Sequence, residues 1–111
     1  MIEALEASPV REPLFDFDYV NDPLSGGDVH EGYWHLKETA PPVFWTAANG
    51  GHWVLNSASA ITHVLRHPET FTSRFVTIPA TTYTPVVIPT TLDPPEHRPF
   101  RQLLRPFFES K

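Results

Sequence analysis

Apolar and polar positions follow two different periods along this chain. Val29, Tyr33 and Leu36 recur at helical spacing, which predicts an amphipathic helix with these residues on one face. Asp28 and Glu31 stand three residues apart, the spacing of a capping box at its start. Pro41 and Pro42 disfavour helical backbone before them, so the helix should end by Ala40. Two short runs, Val43 to Thr46 and His52 to Leu55, then flank Asn49-Gly50. Asn-Gly tolerates the positive φ angles of a tight turn, so this stretch predicts a β-hairpin. Ile61, Val64 and Leu65 mark a second, shorter helix, capped by Ser57 or Ser59 and limited by Pro68.

Residues 1–27 read as an extended lead-in, and FDFDYVNDPLSGG within it mixes aromatics with turn formers, as a segment lying over a packed surface would. Phe71 to Leu92 has neither period. It is rich in Thr, Pro and β-branched residues and nearly uncharged after Arg74. A long apolar loop of this kind is uncommon unless it lines a binding site or is disordered, and its Val, Ile, Tyr and Phe content favours the site. The remaining stretch, LDPPEHRPFRQLLRPFFESK, predicts a third helix. Asp93 serves there as the capping acid, Pro94 and Pro95 preset φ, and the helix starts near Pro95 to His97. Phe100, Leu103, Leu104, Phe107 and Phe108 form its buried stripe. His97, Arg101 and Arg105 form a second stripe beside the first.

The charge pattern sharpens the picture of that helix. The 111 residues carry a net charge of −5, which gives no global attraction to nucleic acid or an anionic membrane. Up to Glu38 the acids dominate, whereas half of all Lys and Arg lie from Arg98 onward. Pattern alone leaves two readings of the basic stripe. It is a solvated face, or His97 and Arg101 converge on a carboxylate or phosphate, with the helix dipole assisting.

There is no cysteine, which removes disulfides, Cys-ligated zinc and thiol catalysis from these residues. The N-terminus has early acids and no apolar core run, unlike a signal peptide. No stretch has the length of a membrane span, and a cytoplasmic location is expected. His63 and His67 have a spacing that zinc sites use but lack the accompanying glutamate, so no metal site is expected. His52 reads as a packing residue.

The segment DPPEHRPFRQLLRPFF resembles the opening of helix C in cytochrome P450 monooxygenases of the soluble bacterial type. FDFD, VFWTAANGGHWVL and FTSR resemble the camphor-hydroxylase branch of that family, in the same order. The resemblance implies an α+β, mainly helical fold: the N-terminal part of the cytochrome P450 fold, with helix A, a β-hairpin, helix B, the B–C loop and the start of helix C. Residues 28–111 would form that portion. It also implies that His97 and Arg101 bond a haem propionate. Arg98 and Arg105 fall outside the motif and are left as surface charges. The B–C loop touches substrate in the family, which makes Tyr83, Val87, Ile88 and Thr90 the substrate-pocket candidates. The tyrosine that bonds substrate in camphor hydroxylases aligns with Pro85, two residues from Tyr83.

A cytochrome P450 places a cysteine thiolate on its iron and carries an acid–alcohol pair on a long central helix, and neither is present in these residues. The expectation is therefore an N-terminal fragment of a haem monooxygenase. It would hydroxylate a small apolar molecule, a terpenoid being one candidate, with electrons from an iron–sulfur ferredoxin and its reductase. No residue of the chain itself is assigned a catalytic role. The alternative is a non-enzymatic binding or interaction module without haem, in which the apolar stripe of the last helix would need a partner.

Overall fold

The computed structural model describes residues 11–21, 27–79 and 85–109. The chain divides into two compact units, Met1–His63 and Val64–Lys111. In chain order the regular elements are α1 (Val29–Thr39), β1 (Val43–Thr46), β2 (His52–Leu55), α2 (Ala58–Arg66) and α3 (Arg98–Leu104).

The first unit is built on the predicted hairpin. β1 and β2 pair antiparallel, with Phe44 opposite Val54 and Trp45 opposite Trp53. Asn49, Gly50 and Gly51 all have positive φ, so the backbone freedom expected of Asn-Gly extends one residue further. The loop passes through a 3₁₀ turn at Ala48–Gly50, which makes it longer than a two-residue turn. Gly51 sits at φ 82°, and a Cβ there would lie 2.6 Å from the Trp45 ring. Both the conformation and the space demand glycine.

The lead-in runs beside β1. Trp45 N–H donates to the Pro13 carbonyl at 2.8 Å, and Phe15 N–H donates to the Trp45 carbonyl at 2.9 Å. That alignment delivers Phe17 to the core, where it joins Leu36 and Phe44. Phe44 has none of its surface exposed, and it meets the rings of Phe15 and Phe17 at centroid distances of 5.1 and 6.1 Å. Removing a side chain of this size from water contributes about 2–3 kcal/mol.

The buried Thr46 and half-buried Asn56 polar groups in this unit are paired, which avoids the cost of leaving them unpaired, whereas His52 Nε2 is buried without a hydrogen-bond partner among the described residues. The Thr46 hydroxyl donates to the Phe17 carbonyl at 2.7 Å and accepts from Ala48 N–H. The Asn56 side chain donates to the Leu36 carbonyl at 3.1 Å, closing the end of α1 onto the strand exit. Asp18 accepts from the amides of Val20 and Asn21 and from the side chains of Asn21 and Asn49. The Asn21 and Asn49 side chains, then the Asn21 and Val20 amides, lower its pKa from 3.8 to about 2. Hydrogen bonds to the charged form always act in this direction.

Both early helices start as expected and present different faces from those expected. Asp28 accepts from His30 N–H at 2.8 Å and caps α1, and Ala40 ends it. The inward face of α1, however, is Gly32 and Leu36, while Val29 and Tyr33 are 49% and 58% exposed. Gly32 thus lies on the face that periodicity assigned to Tyr33. Ser57, not Ser59, caps α2, accepting from Ala60 N–H at 3.2 Å. His52 packs edge-on against Tyr19, in keeping with a packing role.

In the second unit, described residues 71–79 and 85–92 form no helix or strand. Turn-like backbone occupies 94–97, α3 runs Arg98–Leu104, and a 3₁₀ turn covers Arg105–Phe107. Pro106 lacks an amide hydrogen and cannot continue the α-helical ladder, which ends α3 after seven residues. The expected buried stripe is exposed: Leu103, Phe107 and Phe108 show 71%, 82% and 84% of their surface, and Phe100 and Leu104 show 38% and 43%. Helical spacing sets which side chains share a face and leaves open whether that face is covered. Among the described residues, no helix is long and apolar enough to cross a membrane, and no cluster of three metal-ligating side chains occurs.

Candidate anion site at the start of the third helix

Asp93 occupies a different place from the one its sequence context suggested. The residue at the start of α3 is His97, and no side chain caps the helix there. The Asp93 carboxylate instead reaches back along the chain. Its Oδ1 accepts from Ser73 N–H at 2.7 Å, and its Oδ2 accepts from the Thr72 hydroxyl. Arg74 Nε lies 3.7 Å from Oδ2. The Ser73 amide and the Thr72 hydroxyl, aided by Arg74 and His97, hold Asp93 below its ordinary value of 3.8. One carboxylate thus joins positions 72–74 to the threshold of α3 and closes the loop between them. Nothing local to the DPPEH segment marks this pairing, which spans about twenty residues of chain.

The carbonyl of Asp93 accepts from His97 N–H at 3.2 Å, and the carbonyl of His97 accepts from Arg101 N–H at 3.0 Å. These bonds set His97 and Arg101 one helical turn apart. The pair lines a groove of about 710 Å³ whose walls also include Arg98, Arg105, Gln102, Leu104 and Phe108. His97 is half-buried, and its Nδ1 is buried with no hydrogen-bond partner among the described residues. Burying a ring nitrogen without a partner is costly. The His97 ring and the Arg101 guanidinium carry N–H donors of the kind that an anionic oxygen takes. The pair therefore fits a carboxylate such as a haem propionate, and the fit rests on side chains alone, because a seven-residue helix contributes little dipole.

The sequence reading missed two features of this groove. Arg98 and Arg105, set aside as surface charges, form part of its wall. Arg105 is also paired with Glu109, so its charge is partly compensated. The substrate-pocket candidates among the described residues lie elsewhere. Val87 and Ile88 are 46% and 51% exposed on the turn that ends at Thr91, and Thr90 is exposed as well. Of that turn only Pro89 lines the groove. The turn is anchored by Thr91, whose buried hydroxyl accepts from Val87 N–H at 3.0 Å and whose amide donates to the Val87 carbonyl at 2.9 Å. Tyr83 lies outside the described residues.

No model of a known protein family matches this chain. Among curated proteins, it is 37% identical over 94 residues to probable cytochrome P450 127A1 of Sinorhizobium fredii, covering 80% of this chain and 23% of that protein. Among solved structures, it superposes on the crystal structure of CYP101J2 with a TM-score of 0.72 and 40% identity, covering 86% of this chain and 25% of that one. The chain spans about a quarter of the length of these relatives. Helix, hairpin, helix, loop and helix follow one another as in the N-terminal portion of that fold. Over the residues it shares with these relatives, the chain matches the N-terminal portion of the cytochrome P450 fold, a family whose cofactor is haem.

Proposed function

We propose that this chain forms part of a haem-thiolate monooxygenase in which His97 and Arg101 bond a haem propionate. The observation that carries this reading is that His97 and Arg101, two N–H-donating side chains one helical turn apart, line one groove. Haem, when bound and ligated by a thiolate, supplies the oxygen-activating redox chemistry of such enzymes. The thiolate is not among these 111 residues, which contain no cysteine. The contribution of this chain is to hold and orient. His97 and Arg101 fix a carboxylate, while Val87, Ile88 and Thr90 offer a largely apolar surface from a turn held by Thr91. That surface suits a small apolar substrate, which the full-length enzyme would hydroxylate, a terpenoid being one candidate. Electrons would arrive from an iron–sulfur ferredoxin and its reductase in the cytoplasm, as the soluble bacterial type implies.

The test is the visible spectrum of the full-length protein, reduced and then exposed to carbon monoxide. A thiolate-type carbonyl band is expected. Its absence in a protein that retains haem contradicts the monooxygenase reading. Reduction by a ferredoxin–ferredoxin reductase pair, compared with a flavodoxin pair, tests the electron donor.

A further inference from the structure

We infer that Asp93 is a positioning residue that transmits the state of the chain at Thr72–Arg74 to His97 and so presents the anion site. Three observations converge on it. Its carboxylate takes the Thr72 hydroxyl and the Ser73 amide, and the Thr72 oxygen in turn accepts from Arg74 N–H at 3.2 Å. Its carbonyl takes the His97 amide. Its side chain is only 22% exposed, although Arg74 beside it is 67% exposed. A single residue thus bonds the foot of the loop through its side chain and the foot of α3 through its backbone. Release of the carboxylate frees the peptide unit that holds His97, and with it the direction of the ring. No side chain caps the helix at this point, so beyond the Arg101 amide on its carbonyl, His97 is held by its own amide on the Asp93 carbonyl. The inference rests on the anion-site reading for its functional meaning, but its structural part stands alone.

The experiment is amide hydrogen exchange on the chain, with the β1–β2 amides as internal control. Asp93→Ala should accelerate exchange at Ser73 roughly tenfold or more, the scale of losing one charge-assisted hydrogen bond. It should also accelerate exchange at His97 and Arg101 about threefold or more, while the hairpin stays unchanged. Thr72→Val, which leaves Asp93 in place, should move the same amides in the same direction. Asp93→Asn keeps an oxygen for the Ser73 amide and should restore most of the protection at both places. Acceleration at Ser73 with wild-type exchange at His97 and Arg101 overturns the inference, as does a silent Thr72→Val. Haem titration of His97→Gln in the full-length protein judges the anion reading separately. Lost haem affinity there with unmoved exchange in Asp93→Ala removes the positioning role alone. Moved exchange with haem affinity untouched by His97→Gln removes the anion site alone.

Discussion

Phe44 and Phe108 are the same residue type in the two units of one chain, and their surroundings are opposite. Phe44 is fully buried among Phe15, Phe17 and Leu36, whereas Phe108 is 84% exposed. In the first unit, Phe17, Leu36, Phe44 and Trp45 are buried, and polar groups such as Thr46 and Asn56 tie its edges. In the second, the large apolar side chains face outward, and polar contacts at Asp93 and Thr91 shape the backbone. The difference teaches that a stripe at helical spacing carries no information about its own coverage. It also shows that a segment can take a defined course from a few charge-assisted bonds without an apolar core beneath it.

The strongest challenge to this contrast is truncation of the two phenylalanines. Phe44→Ala should cost about 3–5 kcal/mol in urea unfolding followed by Trp45 and Trp53 fluorescence, the range for emptying a buried aromatic site. Phe108→Ala should fall within about 0.5 kcal/mol of the parent. Comparable losses at the two sites would erase the distinction between the units. Gly51→Ala should destabilise the first unit by about 1–3 kcal/mol, because alanine must both adopt a glycine backbone and displace the Trp45 ring. Thr46→Val keeps the shape of the side chain and strands the Phe17 carbonyl and the Ala48 amide. It should cost about 1–3 kcal/mol in the same assay.

A smaller effect in the first unit appears with pH. Asp18 titrates at about 2 in the folded chain against an ordinary 3.8. Its folded value is the lower, so its contribution is fully present above about pH 4 and is lost as pH falls toward 2. Fluorescence-monitored unfolding should therefore show the first unit weakening across that window, with a shallower dependence in Asp18→Asn. An identical pH dependence in the variant would mean that the carboxylate does not hold the lead-in to the hairpin turn.

The sequence disclosed most where a short-range rule was sufficient. Asn49-Gly50 marked the hairpin because few residue pairs tolerate its turn, and Asp28 and Ser57 marked helix starts because capping is local chemistry. Phe17 lay in a stretch already expected to pack. His97 and Arg101 were legible as a pair from their spacing, and the resemblance is the source of the proposal that their anion is a haem propionate. Long-range partnership was not legible. Asp93 followed by two prolines has the local signature of a cap, and only the fold brings Thr72 and Ser73 to it. Gly32 rather than Tyr33 lies on the inward face of α1, which apolar periodicity does not register because glycine carries no apolar side chain. Pro106 ended α3 at a point where the apolar periodicity continued unbroken.

The central claim is that His97 and Arg101 anchor a haem propionate, and haem retention in the full-length protein tests it most directly. Wild type and the double variant His97→Ala with Arg101→Ala would be challenged with apomyoglobin as a haem acceptor, with circular dichroism confirming that both stay folded. The account predicts faster haem transfer from the variant, by roughly tenfold or more for the loss of two charge-assisted hydrogen bonds. Transfer at the wild-type rate from a folded double variant would contradict it.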